Sequence, residues 1–371
     1  MPSKLFRRRG AGAAVAAGPA EEARDEASGA VMSMIPKGKE DTYRKLIEAA
    51  KDASDLAYCR YSNYPVGAAV LTFDGQVYVG CNVENCGYTQ TIHAEQTAMA
   101  NALSDGALRR ALDAGLTQLQ FIEAIAVHAK KGTDPWPCCN CRQSLNEFGL
   151  TMNVIGEGEG GSFKCETLND LIPHAFPMES VLESVHGKDW RTVAARAEIK
   201  TAKQRQKHPA GGSNGTDGTK SGGMHELLIE RAKDASRLAY CPYSNYPVGA
   251  AILTFDNQIY TGCNIENCGY TQTIHAEQTA LSKAVSLGAL KRAEEAGLTQ
   301  FDFIKAIAIY SPKTIEPWPS CNGRQALNEF GLTMEVIGEG RNGDILCKKL
   351  EELIPYAFPM EAVLSAIHNA E

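Results

Sequence analysis

From Leu46 to His186, and again from Leu228 to His368, the chain carries one pattern twice, at a constant offset of 182 residues and without a gap. Tyr61-Ser-Asn-Tyr-Pro-Val-Gly-Ala-Ala69 returns as Tyr243 to Ala251, and the stretch from Glu84 to Ala98 returns as Glu266 to Ala280. Two copies make a pair of domains, because a solenoid needs at least three stacked units. Each copy is long enough to bury a core of its own. The organisation that follows is a disordered N-terminal tail over 1–40, a first domain over 41–187, a linker over 188–223 and a second domain over 224–371. The linker is basic in its first half (Arg191, Arg196, Lys200, Lys203, Arg205, Lys207) and Gly/Ser/Asn-rich from Gly211 to Gly223, the composition of a flexible connection.

Within copy one, Leu46, Ile47, Ala50, Ala53, Leu56 and Ala57 are spaced for one face of a helix over about Thr42–Tyr58. Strands Val66–Phe73 and Gln76–Val83 flank Asp74-Gly75, the signal of a two-residue hairpin. A helix is expected from about His93 to Leu103, and a strand buried on both faces at Phe121–Val127. Another helix should start at Cys138, followed by a strand at Thr151–Ile155 and short helices near Leu168 and Pro177. Helices alternating with strands give a layered α/β sandwich.

The chemistry concentrates at two places in copy one: His93-Ala94-Glu95 and Pro137-Cys138-Cys139-Asn140-Cys141-Arg142-Gln143. At a helix start, His93 and Glu95 can face one pocket. Cys138 and Cys141, at i and i+3 of a first turn, put both sulfurs on one side, where the helix dipole and free N–H groups favour thiolates. One imidazole and two thiolates leave a tetrahedral zinc an open position for water, and Glu95 beside it is a proton carrier for hydrolysis. A lone C-x-x-C also suits redox chemistry or half a structural zinc site. A structural site wants four protein ligands, and the nearest fourth candidate, Cys139, points away on a helix. Arg142 is placed to hydrogen-bond a ligand sulfur from behind.

The H-x-E and P-C-x-x-C pair resembles the zinc-dependent nucleoside deaminases. Tyr61-Ser-Asn-Tyr-Pro-Val-Gly-Ala and Gly80-Cys-Asn82-Val-Glu84-Asn85 look more narrowly like cytidine deaminase, in both copies. The resemblance implies two tandem three-layer α/β/α sandwich domains, each with a mixed central sheet. It implies that Asn82 and Glu84 bind the sugar hydroxyls, and that Tyr64 contacts the pyrimidine, with Ala94 in the substrate-binding set. It further implies hydroxide attack on C4 of cytidine or deoxycytidine, Glu95 shuttling the proton, with release of ammonia in pyrimidine salvage. Two departures touch the pocket wall: Cys139 stands where the family usually has Gly, and Trp136 where it tends to have a small residue.

In copy two the ligand positions read His275, Ser320 and Gly323, with Glu277 retained. One zinc per chain is therefore expected, in the first domain, with the second a degenerate scaffold. The resemblance then implies a homodimer of four domains arranged like the family's tetramer. A polynucleotide cytosine deaminase is the alternative, but a net charge of −7 and the lack of a basic stripe inside either domain argue against nucleic acid. A zinc-stabilised dimerisation module without chemistry would have no use for Glu95. No apolar run is long enough to span a bilayer. Twelve cysteines without an apolar leader fit reduced thiols in the cytoplasm. Lys4, Arg7, Arg8 and Arg9 among Ala and Gly make a mitochondrial presequence the alternative address.

Overall fold

The computed structural model describes residues 35–132, 136–157, 163–187, 221–314, 318–340, 342–358, 360 and 363–365. The tail expected over 1–40, as far as residue 34, and the linker expected over 188–223, as far as residue 220, lie outside the described residues.

Copy one begins with α1 (Glu40–Ser54) and a strand pair, β1 (Val66–Thr72) and β2 (Val77–Cys81). Then come α2 (Ala94–Ser104), α3 (Ala107–Asp113) and β3 (Ile122–Ala129). Helix α4 (Cys139–Asn146) leads to β4 (Asn153–Glu157) and β5 (Phe163–Thr167), and α5 (Leu168–Leu171) and α6 (Met178–His186) close the domain. The sheet order is β2-β1-β3-β4-β5. Only the β3–β4 pair is parallel, with α4 in the crossover; the other pairs are antiparallel. This is a mixed sheet.

Alternation along β1 sends Ala68 and Val70 to one face and Ala69 and Leu71 to the other. The first face packs on Ala94, Ala98 and Leu103 of α2; the second packs on Tyr43, Leu46, Ile47 and Ala50 of α1. Both faces are covered, so the domain has three layers, α/β/α. Helix α1 stops at Ser54 rather than near Tyr58 because Tyr58 is drawn to the sheet, its N–H donating to the Asn82 carbonyl at 3.0 Å. The hairpin loop holds residues 73–76, four rather than two, with Gly75 at φ 77°. Asn257 takes the matching left-handed position in copy two, at φ 60°, as short polar side chains can.

The second copy repeats this plan with α7 (Ser221–Ser236), β6 (Gly249–Thr254), β7 (Ile259–Cys263), α8 (Ala276–Ser286) and α9 (Ala289–Glu295). It continues with β8 (Ile304–Tyr310), α10 (Cys321–Asn328), β9 (Glu335–Glu339), β10 (Ile345–Lys349) and α11 (Leu350–Leu353). Its sheet order, β10-β9-β8-β6-β7, is the same order. Residues 35–371 form one compact unit, and the copies share their cores. Tyr58, Cys81 and Val83 sit in the second copy's cluster, while Tyr240, Cys263 and Ile265 sit in the first's.

The joint between copies is polar as well. Glu147, fully buried at the C-cap of α4, accepts from the Tyr240 and Tyr243 hydroxyls (2.7 and 2.6 Å) and from the Cys268 N–H (2.8 Å). Glu329 at the end of α10 accepts from Tyr58, Tyr61 and the Cys86 N–H in the mirror-image way, at 2.7, 2.6 and 2.8 Å.

Candidate metal and catalytic site

Two helix starts meet at the site. His93 is the N-cap of α2, with extended backbone (φ −77°, ψ 158°), and Glu95 lies in that helix's first turn. Cys138 is the N-cap of α4 (φ −64°, ψ 163°), so the helix starts one residue later than its first thiol, and Cys141 lies in the first turn. An N-cap side chain folds back over the N3 position, which is why an i, i+3 pair of thiols here converges. Gly80 lets α2 lie against β2: a Cβ there would stand 2.3 Å from the Ala98 nitrogen. The two helix starts are tied together by Gln96, whose amide donates to Ser144 Oγ at 3.0 Å while its carbonyl accepts from the His93 N–H at 3.2 Å.

The Cys138 sulfur lies 3.5 Å from His93 Nδ1 and 3.6 Å from the Cys141 sulfur, and all three donor atoms fall within 4.8 Å of one another. Zinc–sulfur and zinc–nitrogen bonds of about 2.3 and 2.0 Å around a tetrahedron put ligand atoms about 3.5–3.8 Å apart. The donor set fits zinc. Hydrogen bonding with Cys141, and next with His93, holds the Cys138 pKa down to about 3. Burial pushes Cys141 well up, and His93 is raised, chiefly by its hydrogen bond to Cys138. Glu95 is 4% exposed, and burial raises its carboxyl against the opposing charge of His93. Cys139 is exposed.

Asn82 is buried, accepting from the Val66 N–H (2.8 Å) and donating to the Tyr64 carbonyl (3.0 Å). Glu84 is buried too; it accepts from the N–H groups of Tyr61 (2.9 Å) and Ser62 (3.1 Å) and from the Ser62 hydroxyl. Tyr64 is 38% exposed, and Ala94 is fully buried at the start of α2. Trp136 packs, half-buried, on the copy-one core. Arg142 corrects an expectation. It reaches no ligand sulfur, but donates to the carbonyls of Pro137 (2.7 Å) and Leu171 (2.5 Å). It clamps the residue just before Cys138 and so fixes where that thiol stands.

The sequence reading missed Gln96, Ser144 and Glu147, and also the loop of copy two that braces α4. There Asn267 donates to the Gln143 carbonyl at 3.0 Å and Gln272 to Asn140 Oδ1 at 3.1 Å. The repetition of Asn85 and Gln90 at those positions was the available signal.

At the matching place in copy two, the Ser320 hydroxyl lies 3.2 Å from His275 Nδ1, donates to Glu277 Oε1 at 3.4 Å and accepts from the Gly323 N–H at 3.0 Å. A Cβ on Gly323 would stand 1.8 Å from Glu277 Oε1. The carboxylate fills the space that the Cys141 side chain occupies in copy one.

A three-donor metal site with one open position, a buried carboxyl beside it and a three-layer α/β/α scaffold define a zinc-dependent hydrolytic enzyme. The model of the family described as "Cytidine and deoxycytidylate deaminase zinc-binding region" matches residues 40–157 and 223–339, well over half of the chain. The chain belongs to this family, and it is a deaminase with a zinc-binding domain. A protein named cytidine deaminase from Sporosarcina psychrophila is 38% identical over 138 residues, covering 37% of this chain and 93% of that one. A probable cytidine deaminase from Dictyostelium discoideum is 33% identical over 143 residues, covering 38% of this chain and 89% of that one. Cytidine deaminase of Cronobacter sakazakii is 30% identical over 234 residues, a stretch longer than either copy, covering 62% of this chain and 63% of that one.

Proposed function

We propose that the chain hydrolyses cytidine and deoxycytidine to uridine and deoxyuridine plus ammonia, a step of pyrimidine salvage. The observation that carries this reading is the buried Glu95 carboxyl beside three convergent metal donors, together with the relatives named cytidine deaminase. His93, Cys138 and Cys141 would hold a zinc ion, which would supply a Lewis acid to lower the pKa of a water. Glu95 takes a proton from the attacking water and passes it to ring N3. It then takes the proton of the new C4 hydroxyl and gives it to the amine as the C4–N bond breaks and the C4 carbonyl forms, and its burial-raised carboxyl suits it to move protons in both directions. Asn82 and Glu84 offer an amide and a carboxylate to free sugar hydroxyls, Tyr64 and Ala94 flank the base, and Arg142 keeps Cys138 in place.

We place one zinc per chain, in the first domain, because Ser320 and Gly323 replace both thiols and Glu277 fills the vacated space. We also propose a four-domain homodimer, the arrangement that the resemblance to cytidine deaminase implies. Twelve free thiols suit a reducing compartment such as the cytoplasm.

The test is Glu95→Gln. Its zinc content and fold should match the parent, while cytidine turnover, followed as absorbance loss, should fall by about 10²- to 10⁴-fold. Turnover equal to the parent's would remove Glu95 from the mechanism.

A further inference from the structure

The second copy has lost its thiols but kept its pocket. A cavity of about 430 Å³ opens over the start of α8, within the roughly 300–1,000 Å³ range of small-molecule sites. Tyr246, Asn264, Glu266, Thr273, His275 and Trp318 are among its walls. Its polar groups are held as in the catalytic copy. Asn264 is buried; it accepts from the Val248 N–H at 2.8 Å and donates to the Tyr246 carbonyl at 3.0 Å. Glu266 is buried and accepts from the N–H groups of Tyr243 and Ser244 at 2.9 and 3.1 Å. These distances repeat those around Asn82 and Glu84 to the tenth of an ångström.

The floor differs, and so do three positions in the wall, where Ile309, Ser311 and Thr314 stand in place of Val127, Ala129 and Gly132. In the floor, Ser320 ties His275 to Glu277, and Glu277 lies in the space of the missing thiol. The residues that would take a sugar and a flat ring (Asn264, Glu266, Tyr246 and Trp318) repeat Asn82, Glu84, Tyr64 and Trp136, and the floor that would activate a water is dismantled. A pocket of this kind binds without turning over, since removing transition-state contacts leaves ground-state binding in place.

We propose that the C-terminal cavity is a second, non-catalytic site for a pyrimidine nucleoside, with Asn264 and Glu266 taking the sugar hydroxyls and Tyr246 and Trp318 flanking the base. The proposal rests on the nucleoside reading of the first pocket. The chain therefore binds two nucleosides and converts one.

The experiment is equilibrium dialysis of the zinc-loaded full chain carrying Glu95→Gln, with radiolabelled cytidine and, separately, uridine. Two nucleosides per chain are expected. The second should be lost when Ser320→Phe is added to fill the cavity floor, and independently when Thr273→Trp is added at the wall, with zinc staying at one per chain as evidence that the first domain stands. One nucleoside per chain, unaffected by either variant, overturns this proposal and leaves the first pocket's reading standing. Two per chain that persist in both variants also overturn it, because the second molecule then sits elsewhere. No binding to the zinc-loaded chain overturns the nucleoside reading of both pockets.

Discussion

Restoring the two missing thiols should give the second copy a metal. In S320C/G323C, residue 320 starts from the N-cap of α10 with its Oγ already 3.2 Å from His275 Nδ1, against 3.5 Å for the Cys138 sulfur and His93. A sulfur there reaches ligand range on the existing backbone. Position 323 is the obstacle. A Cβ there lands 1.8 Å from Glu277 Oε1 and 2.4 Å from its Cδ and Cγ, so Glu277 must rotate away, towards the placement that Glu95 has in copy one. G323C alone forces that rotation and breaks the Ser320–Glu277 bond. Overpacking of this kind costs about 1–3 kcal/mol, or roughly 1–2 °C of Tm per kcal/mol in a chain of this size. In the double variant zinc offsets the loss, because a ligand at a hundredfold excess over its Kd contributes about 2.7 kcal/mol. The assay is zinc per chain by atomic absorption after dialysis, with melting curves recorded with and without a chelator. Zinc should rise from one to two per chain, and the chelator should lower Tm more in the double variant than in the parent. A folded double variant that still holds one zinc would refute the reasoning, since the thiols would then not be what copy two lacks.

Glu147→Ala leaves two tyrosine hydroxyls and one backbone N–H without their acceptor inside the joint between copies. At about 1–2 kcal/mol for each orphaned group, unfolding free energy should fall by roughly 3–6 kcal/mol; a loss below about 1 kcal/mol in a denaturant titration would contradict that accounting. Gly80→Ala drives a methyl to 2.3 Å from the Ala98 nitrogen and 2.6 Å from the Ala94 carbonyl oxygen. Helix α2 should shift off β2, and zinc content and turnover should fall together because His93 and Glu95 both ride on the start of that helix. In zinc-stripped protein the Cys138 pKa, lowered to about 3, keeps a thiolate throughout the neutral range. Iodoacetamide should therefore label Cys138 with little loss of extent from pH 8 down to pH 5, while Cys141, raised by burial, stays unlabelled. Zinc should protect Cys138, and peptide mapping by mass spectrometry reads all three states.

Much of this was legible in the chain because it is local or repeated. The 182-residue offset defines two domains of one fold. His93 and Glu95, two residues apart, share a pocket because a helix begins between them, and Cys138 with Cys141 follows the same logic one N-cap later. Strand β5 was not foreseen: Phe163–Thr167 has only five residues, two of them charged, and sits at the sheet edge. Arg142 was assigned to a sulfur because it neighbours one. Its actual partners, Pro137 and Leu171, depend on how α5 returns over α4, which no local pattern states. The contacts of Glu147 with Tyr240, Tyr243 and Cys268 span about a hundred residues and exist only once the copies pack. A buried carboxylate at a helix end carries no periodicity that reveals its partner.

The central claim is that one half of the duplication holds a metal and does the chemistry. The most direct test measures zinc per chain and cytidine conversion on the same purified sample. The account predicts one zinc per chain, with uridine and ammonia formed in equal amounts. Two zincs per chain, or one zinc with no conversion of cytidine or deoxycytidine, would contradict it.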